Sequence, residues 1–416
     1  MNIAILGAGI IGVTTAYELA ADGHQVTVFE RHATVAEGAS FANAGVVAPG
    51  YVTPWAAPGM PSKVLRHLVS RHAPVRVSRP LAMADLAWMR QWLRACDPAS
   101  YAANRARMQR LAFYSRQRLH EVAARMAYDF ERSDGYLVLL RAEKDRRLAQ
   151  PGLALLRELG VRFHEVTAEE ARQIEPALNP DTALAGAIHL PQDEVGNCRQ
   201  FVVIARDAAE SLGARFMFNA PVARIDTSHG ATVHIANESL PRRFDALVVC
   251  AGVQSAELLK PLGIALPLRP VYGYSISAHI PEPTNAPRSG VMDERFKVAI
   301  TRMGQRVRVA GSAEIGGRPG QIHEQAVQTL YKVLSDWFPA AGRLSSGVQV
   351  WKGARPMLPD GPPILGASGI PGLWLNLGHG SSGWALSCGS ARVLADQMAG
   401  RQPAIDVEGL GIERLR

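Results

Sequence analysis

A glycine motif near residue 10 has the spacing of a dinucleotide-binding turn. Gly7, Gly9 and Gly12 form a G-x-G-x-x-G pattern directly after a short apolar run at 3–6. In such a motif the first glycine permits a tight turn, the second lets the backbone approach a pyrophosphate, and the third allows close packing of helix on strand. The N-terminus of that helix presents free N–H groups to the phosphates. We therefore expect this segment to bind a dinucleotide.

An acidic residue follows the motif at the distance that a ribose contact requires. The apolar segment at 25–29 predicts a second strand, which ends on Glu30, eighteen positions after Gly12. A carboxylate there accepts hydrogen bonds from ribose hydroxyls and disfavours a 2′-phosphate. Arg31 beside it weakens that last argument. The alternative interpretation is a glycine-rich turn in an ordinary βαβ unit.

Two further loops favour FAD over NAD as the dinucleotide. The small and polar residues at 38–45 allow the backbone to approach a bulky planar ligand, although a surface turn is the alternative. A second glycine loop at 378–383 separates a predicted strand at 372–377 from an apolar helix that begins near Trp384. Its helix N-terminus could stabilise negative charge on a reduced flavin. An NAD site would not require this second loop.

These segments resemble a known family. The chain resembles the glycine/D-amino-acid oxidase superfamily of FAD proteins, and most closely the bacterial D-amino acid dehydrogenase small-subunit family. The resemblance is nearly end to end. It is carried by the motifs at 7–12, 40–45, 49–59, 191–198, 273–275, 299–302, 355–361 and 374–384.

The resemblance implies an α/β fold with two domains. One is a discontinuous, Rossmann-type FAD-binding domain, and the other is an α+β substrate domain built on an antiparallel sheet. The alternating runs at 272–280, 297–301 and 306–310 independently predict antiparallel strands. We assign residues 1–60, 190–260 and 340–416 to the FAD domain, and residues 61–189 and 261–339, with a helical basic region at 61–127, to the substrate domain.

The cofactor contacts are expected at the glycine motif and the loops that follow the strands. In similar folds the backbone at Val222 meets the adenine, and the turn at Ala251-Gly252 closes on the phosphates. The candidate FAD-binding residues are Gly7, Gly9, Ile10, Ile11, Gly12, Glu30, Arg31, Ser40, Asn43, Ala44, Gly45, Val222, Ala251, Gly252, Gly378, Gly380, Ser381 and Gly383. Since no cysteine occurs at 355–366, where some relatives attach flavin covalently, we expect non-covalent FAD.

A substrate carboxylate calls for an arginine, because guanidinium presents a planar fork of donors that lysine lacks. Our first candidate is Arg355, where Pro356 restrains the backbone and a turn follows at 360–361. In similar proteins this segment lies beside the flavin. The alternatives are an arginine that pairs with a structural carboxylate and one that positions the flavin.

Three other side chains are candidates for the catalytic site. Tyr274 lies in an alternating strand on the same face as Tyr272, and its hydroxyl could bind the substrate carboxylate. Tyr51 is placed to line the substrate entrance. His379 could act as a base, but hydride transfer from a neutral amine requires none, so we favour flavin contact.

Composition limits the partners. With 47% hydrophobic residues, 20% charged residues and a net charge of +8, the chain is neither disordered nor fibrous. Its four cysteines are far apart and lack metal-ligand spacing, which predicts reduced thiols and no metal site.

The basic charges are dispersed and carry no nucleic-acid motif. They are densest at 61–94, which includes Lys63, Arg66, Arg71, Arg76 and Arg79.

This basic region has two interpretations. It could rest on an anionic membrane, or it could be a solvated helix whose tryptophans, Trp88 and Trp92, face the core. No segment is apolar enough to span a bilayer. The resemblance supports the membrane interpretation, because the related dehydrogenases are respiratory and peripheral. We expect a cytoplasmic protein, with possible contact at the cytoplasmic face of the inner membrane.

The function implied by the resemblance is oxidative deamination of D-amino acids such as D-alanine. Hydride transfer to FAD would yield 2-oxo acids and ammonia, and the electrons would pass to a quinone or an artificial acceptor. The alternative is an FAD amine oxidase or dehydrogenase that acts on glycine, sarcosine, proline or D-hydroxyproline. A non-catalytic flavin-binding subunit is a third interpretation.

Overall fold

The computed structural model describes residues 1–67, 70, 72–78, 80–228 and 230–415, with the side chains of Arg66 and His67 left out. Arg71 and Arg79, two of the predicted basic residues, lie outside the described residues. All four cysteines, Cys96, Cys198, Cys250 and Cys388, are free and buried.

The described residues form nineteen strands and ten α-helices. The strands are β1 (Asn2–Leu6), β2 (Gln25–Phe29), β3 (Val46–Val47), β4 (Val75–Val77), β5 (Ser133–Leu140), β6 (His164–Val166), β7 (Gly186–Val195), β8 (Arg215–Met217), β9 (Val222–Asp226), β10 (Ala231–Ile235), β11 (Arg242–Phe244), β12 (Ala246–Val249), β13 (Arg269–His279), β14 (Gly290–Asp293), β15 (Val298–Met303), β16 (Arg306–Ile315), β17 (Gln349–Met357), β18 (Ile364–Ala367) and β19 (Leu373–Leu377). The helices are α1 (Ile10–Ala21), α2 (Met60–His67), α3 (Met83–Ala95), α4 (Pro98–Met126), α5 (Glu143–Glu158), α6 (Ala168–Ile174), α7 (Cys198–Ser211), α8 (Ser255–Leu259), α9 (Glu324–Trp337) and α10 (Gly383–Met398).

The first sheet has six strands in the order β18-β19-β12-β1-β2-β8. Its central pairs are parallel, and only the edge strand β18 is antiparallel to its neighbour. In β1, Ile3 and Ile5 join the core shared with α1, α7 and α10. Ala4 and Leu6 face the opposite side, where the small sheet of β9, β10 and β11 covers them. Burial on both faces explains why these strands read as continuous apolar runs.

The second sheet has ten strands and is mainly antiparallel. Its main path is β17-β13-β16-β15-β14-β5-β7-β3, with β4 paired to β16 and β6 paired to β7. One face packs against α9, where Leu330, Val333 and Trp337 share a core with Tyr274 and Ile276. The predicted α/β class, with a Rossmann-type unit and a second unit on an antiparallel sheet, is confirmed.

The ten-stranded sheet contains strands from both of the predicted domains. The ten-stranded sheet includes β3 and β17 from segments that the sequence assigns to the FAD domain, and the limit at residue 190 falls inside β7. The reason is pairing between distant segments: β17 pairs with β13 over nine residue pairs. This pairing places Arg355 in the ten-stranded sheet, opposite Val271.

The basic region is mainly helical, as predicted, and includes α2, α3 and α4. The exception is β4, which pairs in parallel with Ala313–Ile315 of β16. Trp88 and Trp92 of α3 are buried, and the Trp88 indole donates a hydrogen bond to the Met357 carbonyl at 3.1 Å. The tryptophans therefore face the core, while Met83, Leu86 and other side chains of α3 remain exposed.

A buried carboxylate joins three helices beside the first sheet. Glu18 of α1 is 1% exposed, and both its oxygens accept hydrogen bonds from Arg118 of α4, at 2.7 and 2.8 Å. Arg392 of α10 also donates to Glu18 at 2.9 Å and pairs with Asp22. Burial alone would lower the pKa of both arginines, but Glu18 raises the pKa of Arg118, and Asp22 together with Glu18 raises the pKa of Arg392. The network fixes α10, which leads out of the second glycine loop, against α1.

We expect Glu18→Ala to destabilise the protein by about 3 kcal/mol, because it leaves two buried guanidinium groups partly unpaired. Urea unfolding in the presence of FAD measures this. Glu121→Ala is the matched control: Glu121 also pairs with Arg118 but is 43% exposed, so its loss should cost at most about 1 kcal/mol. Equal losses for the two variants would contradict the role assigned to burial.

Candidate active site

One large cavity reaches both glycine loops. It has a volume of about 1540 Å³, and its wall includes the turn at 7–12, the loop at 38–45, the loop at 378–383 and Arg355. Pockets for single small ligands usually measure about 300–1,000 Å³. The cavity therefore has room for an extended ligand together with a second molecule beside it.

The first glycine turn has the geometry of a pyrophosphate cradle. Gly7 has φ +101°, a conformation that side chains disfavour. A Cβ on Gly12 would lie 1.8 Å from the Gly7 carbonyl oxygen, so only glycine permits this contact between turn and helix. Gly9, Ile10 and Ile11 line the cavity, where the N–H groups of the first turn of α1 have no partner within the helix. These residues fit the diphosphate of FAD.

Glu30 stands at the end of β2 on the cavity wall. Its carboxylate accepts hydrogen bonds from the backbone N–H groups of Ala8, at 2.8 Å, and His32, at 2.9 Å. These bonds hold the carboxylate beside the glycine turn, at the position expected for a ribose contact. Arg31 also lines the cavity, and its Nε donates to His32.

The loop at 38–45 connects the glycine turn to the second sheet. The Ser40 hydroxyl accepts a hydrogen bond from the Ile10 N–H at 3.0 Å, so Ser40 caps α1 as well as lining the cavity. At the other end, the Asn43 and Ala44 carbonyls accept hydrogen bonds from Arg308 and Thr301 of the second sheet. The two sheets therefore meet along this loop, which also includes the predicted Gly45.

The remaining predicted cofactor residues also lie on the cavity wall. They are Val222, Ala251, Gly252, Gly378, Gly380, Ser381 and Gly383. The structure therefore brings all the predicted cofactor-binding residues other than Gly12 to one cavity wall, and Gly12 packs behind the turn.

The His379 imidazole points into the protein rather than acting as an exposed base. It is 2% exposed, and its Nε2 lies 3.0 Å from the Ser390 hydroxyl. Because that hydroxyl donates to the Leu386 carbonyl, the histidine Nε2–H must be the donor to Ser390. Burial lowers the pKa of His379 to about 3. A neutral, engaged imidazole supports the loop and is not placed for proton transfer.

Arg355 is a guanidinium on the cavity wall without a carboxylate partner among the described residues. Its Nη1 donates to the Ser312 carbonyl at 2.9 Å, and its plane lies against the backbone of Gly273, where a Cβ would come within 2.3 Å of Nη2. Burial lowers its pKa to about 10, which leaves it charged at neutral pH. The structural ion pair considered above is therefore absent from the described part of the chain, and the group is available to an anion.

Tyr274 lines the cavity, but its hydroxyl is committed elsewhere. It donates to Glu314 Oε2 at 2.5 Å, and Lys352 pairs with the same carboxylate at 2.8 Å. Burial and this bond raise the pKa of Tyr274. A hydroxyl that donates to Glu314 cannot donate to a substrate carboxylate, so the predicted hydrogen bond does not fit this geometry. The ring serves as a wall.

Tyr51 lies on the cavity wall in the turn Pro49–Tyr51. Its hydroxyl donates to Glu294 at 2.6 Å and accepts from Lys297 at 3.0 Å. Its ring meets the Tyr136 ring edge-on at 5.9 Å. This arrangement fits the predicted position at the substrate entrance, and it ties the entrance to the turn between β14 and β15.

Sequence reasoning missed the roles of Gly273 and Ser312. Ser312 has φ +57°, and its carbonyl aims the Arg355 guanidinium. Gly273 lies inside a strand, where glycine often marks close approach of another group, and this was the available signal. Nothing in the local sequence indicates the conformation of Ser312.

Asp193 is a buried carboxyl beneath the entrance turn. It is 3% exposed, accepts a hydrogen bond from the Gly50 N–H at 3.3 Å, and has no hydrogen-bond partner for Oδ2 among the described residues. Burial raises its pKa from 3.8 to about 7, although Arg116 and the Gly50 N–H oppose the shift. At about 1.4 kcal/mol per pKa unit, this corresponds to roughly 4 kcal/mol.

Because the folded protein favours the protonated carboxyl, Asp193 does not oppose folding below about pH 4, where the carboxyl is protonated in both states. As the pH rises from about 4 to about 7, the fold loses stability, since the carboxyl must then be ionised in its buried position. Asp193→Asn avoids this loss while keeping the acceptor for Gly50. We expect its gain in unfolding free energy to be larger at pH 8.5 than at pH 5, by roughly 3 kcal/mol. Urea unfolding with FAD present measures it, and Asp181→Asn, at an exposed site, is the control. A gain that does not change with pH would refute the assignment.

Solved structures with the same fold include oxidases and a dehydrogenase of small amino compounds. The crystal structure of glycine oxidase from Geobacillus kaustophilus aligns with a TM-score of 0.75 at 23% identity, covering 99% of this chain and 98% of that one. L-proline dehydrogenase from P. horikoshii aligns with a TM-score of 0.74 at 16% identity, covering 100% and 97%. At these identities the similarity establishes the fold.

Similarity in sequence is higher among curated proteins. A D-amino acid dehydrogenase of Bradyrhizobium diazoefficiens is 43% identical over 416 residues, covering 100% of this chain and 99% of the relative. One of Cereibacter sphaeroides is 43% identical over 417 residues, covering 100% and 95%. The model of the family described as FAD dependent oxidoreductase (DAO) matches residues 2–397. The chain belongs to this family of FAD-dependent oxidoreductases.

Proposed function

We propose that the protein oxidises D-amino acids to imino acids, which water hydrolyses to 2-oxo acids and ammonia. The observation that carries the proposal is Arg355, a charged guanidinium without a described carboxylate partner, on the wall of the cavity that also contains the dinucleotide cradle. The full-length relatives at 43% identity are named D-amino acid dehydrogenase. The name of these relatives supports a substrate of the D configuration, and Arg355 supports a substrate that carries a carboxylate, as an amino acid does.

The protein contributes binding and orientation to this reaction. When bound, FAD supplies the hydride acceptor. Arg355 would hold the substrate carboxylate in a bidentate pair, with Gly273 and Ser312 fixing the guanidinium. A carboxylate held at one end leaves Cα in a fixed position, which reduces the entropic cost of the reaction. No base is assigned, because the substrate amine reacts in its neutral form and His379 is buried.

The wall near Arg355 favours a small apolar side chain. Gly311, Ala313 and Gly353 line this part of the cavity, together with Trp351. These residues offer no charged partner for a substrate side chain. D-alanine is therefore the proposed test substrate.

The direct test is an anaerobic screen of amino acids for loss of the flavin visible absorbance. D-alanine should bleach the flavin, whereas L-alanine, glycine, sarcosine and L-proline should act much more slowly. If only L-amino acids or secondary amines bleached it, the proposal would fail in favour of the amine oxidase alternative. Acid precipitation of the holoprotein should release FAD into the supernatant, as expected for a non-covalent cofactor.

We also propose that a quinone, rather than oxygen, reoxidises the enzyme. The relatives are named dehydrogenases, which supports an acceptor other than oxygen. During turnover with D-alanine in air, reduction of a quinone analogue should exceed peroxide formation. Peroxide formed at the rate of substrate oxidation would identify an oxidase instead.

The acceptor proposal is consistent with contact at the cytoplasmic face of the inner membrane. In the described residues no helix is long and apolar enough to cross a bilayer. Along α3, however, Met83, Leu86 and Leu93 are exposed next to Arg90 and Arg94. An exposed face that combines apolar and basic side chains is typical of binding to an anionic lipid surface. We call these five residues the α3 stripe.

Sedimentation with vesicles tests the membrane proposal. The protein should bind vesicles that contain phosphatidylglycerol and be released at about 0.5 M salt. Leu86→Glu combined with Leu93→Glu should abolish binding. A control with Leu212→Glu and Leu240→Glu, two exposed leucines elsewhere, should bind normally. Equal binding by both double variants would exclude the α3 stripe.

A further inference from the structure

The cavity extends beyond the cradle and Arg355 into an apolar arm. This arm lies between α5, the start of α4 and the segment at 54–64. We call it the α5 arm, and its walls include Leu148, Ala149, Leu156, Trp55, Met60 and Arg105. None of the residues assigned above to cofactor or substrate binding is among these six. The arm therefore has its own lining.

Arg105 is the buried cation of this arm. It is 3% exposed and donates to two neutral oxygens, the Tyr101 hydroxyl at 3.3 Å and the Gly152 carbonyl at 3.4 Å. Both distances are long for such bonds. Within the described ranges no carboxylate pairs with Arg105, and its Nε has no hydrogen-bond partner. Its positive charge is thus only weakly compensated by protein groups.

An apolar channel with a buried, weakly compensated cation suits a particular kind of ligand. A small amino acid offers too little apolar surface for walls made of leucine, tryptophan and methionine. A small anion would have only one buried positive charge to bind, and the mainly apolar walls would give it no further partner. A flat ring with carbonyl oxygens and an apolar tail matches both features, because the tail is buried by the walls and the cation attracts an oxygen that gains electron density on reduction.

We propose that the α5 arm binds the quinone that reoxidises the enzyme, which rests on the function proposed above. Oxidation of the amino acid removes two electrons and two protons, as its Cα–H and N–H bonds give way to a C=N bond. The quinone takes up the same two electrons and two protons and becomes the quinol. The arm thus serves the second half of the catalytic cycle.

The position of the arm relative to α3 supports this assignment. Met60 and Val64 of α2 line the arm, and both pack against the cluster that contains Trp88 and Trp92 of α3. The opposite face of α3 is the exposed α3 stripe. An apolar surface and an apolar channel therefore lie on two sides of one helix. A lipid-soluble ligand would have a short path from a membrane into the arm.

A pair of tryptophan substitutions on α5 tests the proposal. Ala149 lines the arm and is partly exposed, so Ala149→Trp should fill it. Ala154 lies on the same helix, is exposed and is not part of the cavity wall, so Ala154→Trp is the matched control. Reoxidation of the reduced holoenzyme by decylubiquinone and by ferricyanide is followed separately from anaerobic bleaching by D-alanine.

We expect Ala149→Trp to slow reoxidation by subsaturating decylubiquinone about tenfold, a change of ~1.4 kcal/mol in binding. Bleaching by D-alanine and reoxidation by ferricyanide should stay within about twofold of wild type, and Ala154→Trp should behave as wild type. Unchanged reoxidation by decylubiquinone in Ala149→Trp would overturn the assignment. The assignment would also be overturned if Ala149→Trp slowed flavin bleaching more for large D-amino acids than for small ones, because the arm would then hold the substrate side chain.

A second pair of variants covers the case in which Ala149→Trp does not fold. Leu148 lines the arm at its exposed end, and Leu159 is an exposed leucine just beyond α5. Leu148→Glu should slow the reaction with decylubiquinone, whereas Leu159→Glu should not, and equal effects would overturn the proposal. Wild-type flavin that no D-amino acid bleaches would instead overturn the proposed function. The two failures are therefore distinguishable.

Discussion

Replacing Arg355 with methionine is expected to lower kcat/KM for D-alanine by about two to three orders of magnitude, or ~3–4 kcal/mol. The guanidinium has no carboxylate partner in the described chain, so the substrate carboxylate would be its ionic partner in the complex. Methionine keeps the length of the side chain but removes every donor. The dependence of the anaerobic bleaching rate on D-alanine concentration measures the loss, most of which should appear in KM.

Two variants separate charge from geometry at this position. Arg355→Lys keeps the charge but loses the planar fork and should fall between methionine and wild type. Gly273→Ala keeps Arg355 and places a Cβ 2.3 Å from its Nη2, so it should also raise KM by displacing the guanidinium. Arg306→Met, at an exposed arginine on β16, is the control. A wild-type KM in Arg355→Met would exclude the carboxylate assignment.

Gly12→Ala is expected to weaken FAD binding by about a hundredfold or more, equivalent to ~3 kcal/mol of steric strain. The new Cβ would lie 1.8 Å from the Gly7 carbonyl oxygen. Since that atom belongs to the backbone of the turn, the contact is relieved only by moving the cradle itself. The purified variant should be nearly colourless, and titration with FAD followed by quenching of flavin fluorescence measures the affinity.

Gly152→Ala is the matched control for this substitution. A Cβ at Gly152, in α5, would meet nothing within 4 Å, and alanine favours the helical conformation. This variant should bind FAD as wild type does. If Gly12→Ala also retained its FAD, the close contact between α1 and the turn would not be the reason that the motif has glycine at this position.

The features that the sequence predicted correctly depend on neighbouring residues. Gly7, Gly9 and Gly12 act within one turn, and Glu30 follows at the end of the next strand. Strand and helix patterns of this kind are local, so both glycine loops and their helices could be placed in advance. The same holds for the alternating strands β13, β15 and β16.

The features that could not be predicted depend on pairing between distant segments. The Tyr274 hydroxyl is committed to Glu314, forty residues away, through the pairing of β13 with β16. Gly273 stands opposite Gly353 because of the register between β13 and β17, and this brings Arg355 against it. A shift of register by one residue would turn each side chain to the other face, and one sequence does not determine the register.

The strand order of the first sheet determines when the site can form during synthesis. β1, the central strand, lies between β2 and β12, and β12 in turn pairs with β19. The loop at 378–383 is synthesised about 370 residues after the glycine turn at 7–12, which takes roughly 20–75 s at ordinary elongation rates. Until β8 and β12 have been made, both edges of the early βαβ unit lack their partner strands and are open to wrong partners. The complete cofactor site, with both glycine loops, exists only once the chain extends past residue 383, so FAD can stabilise the whole fold only from that point.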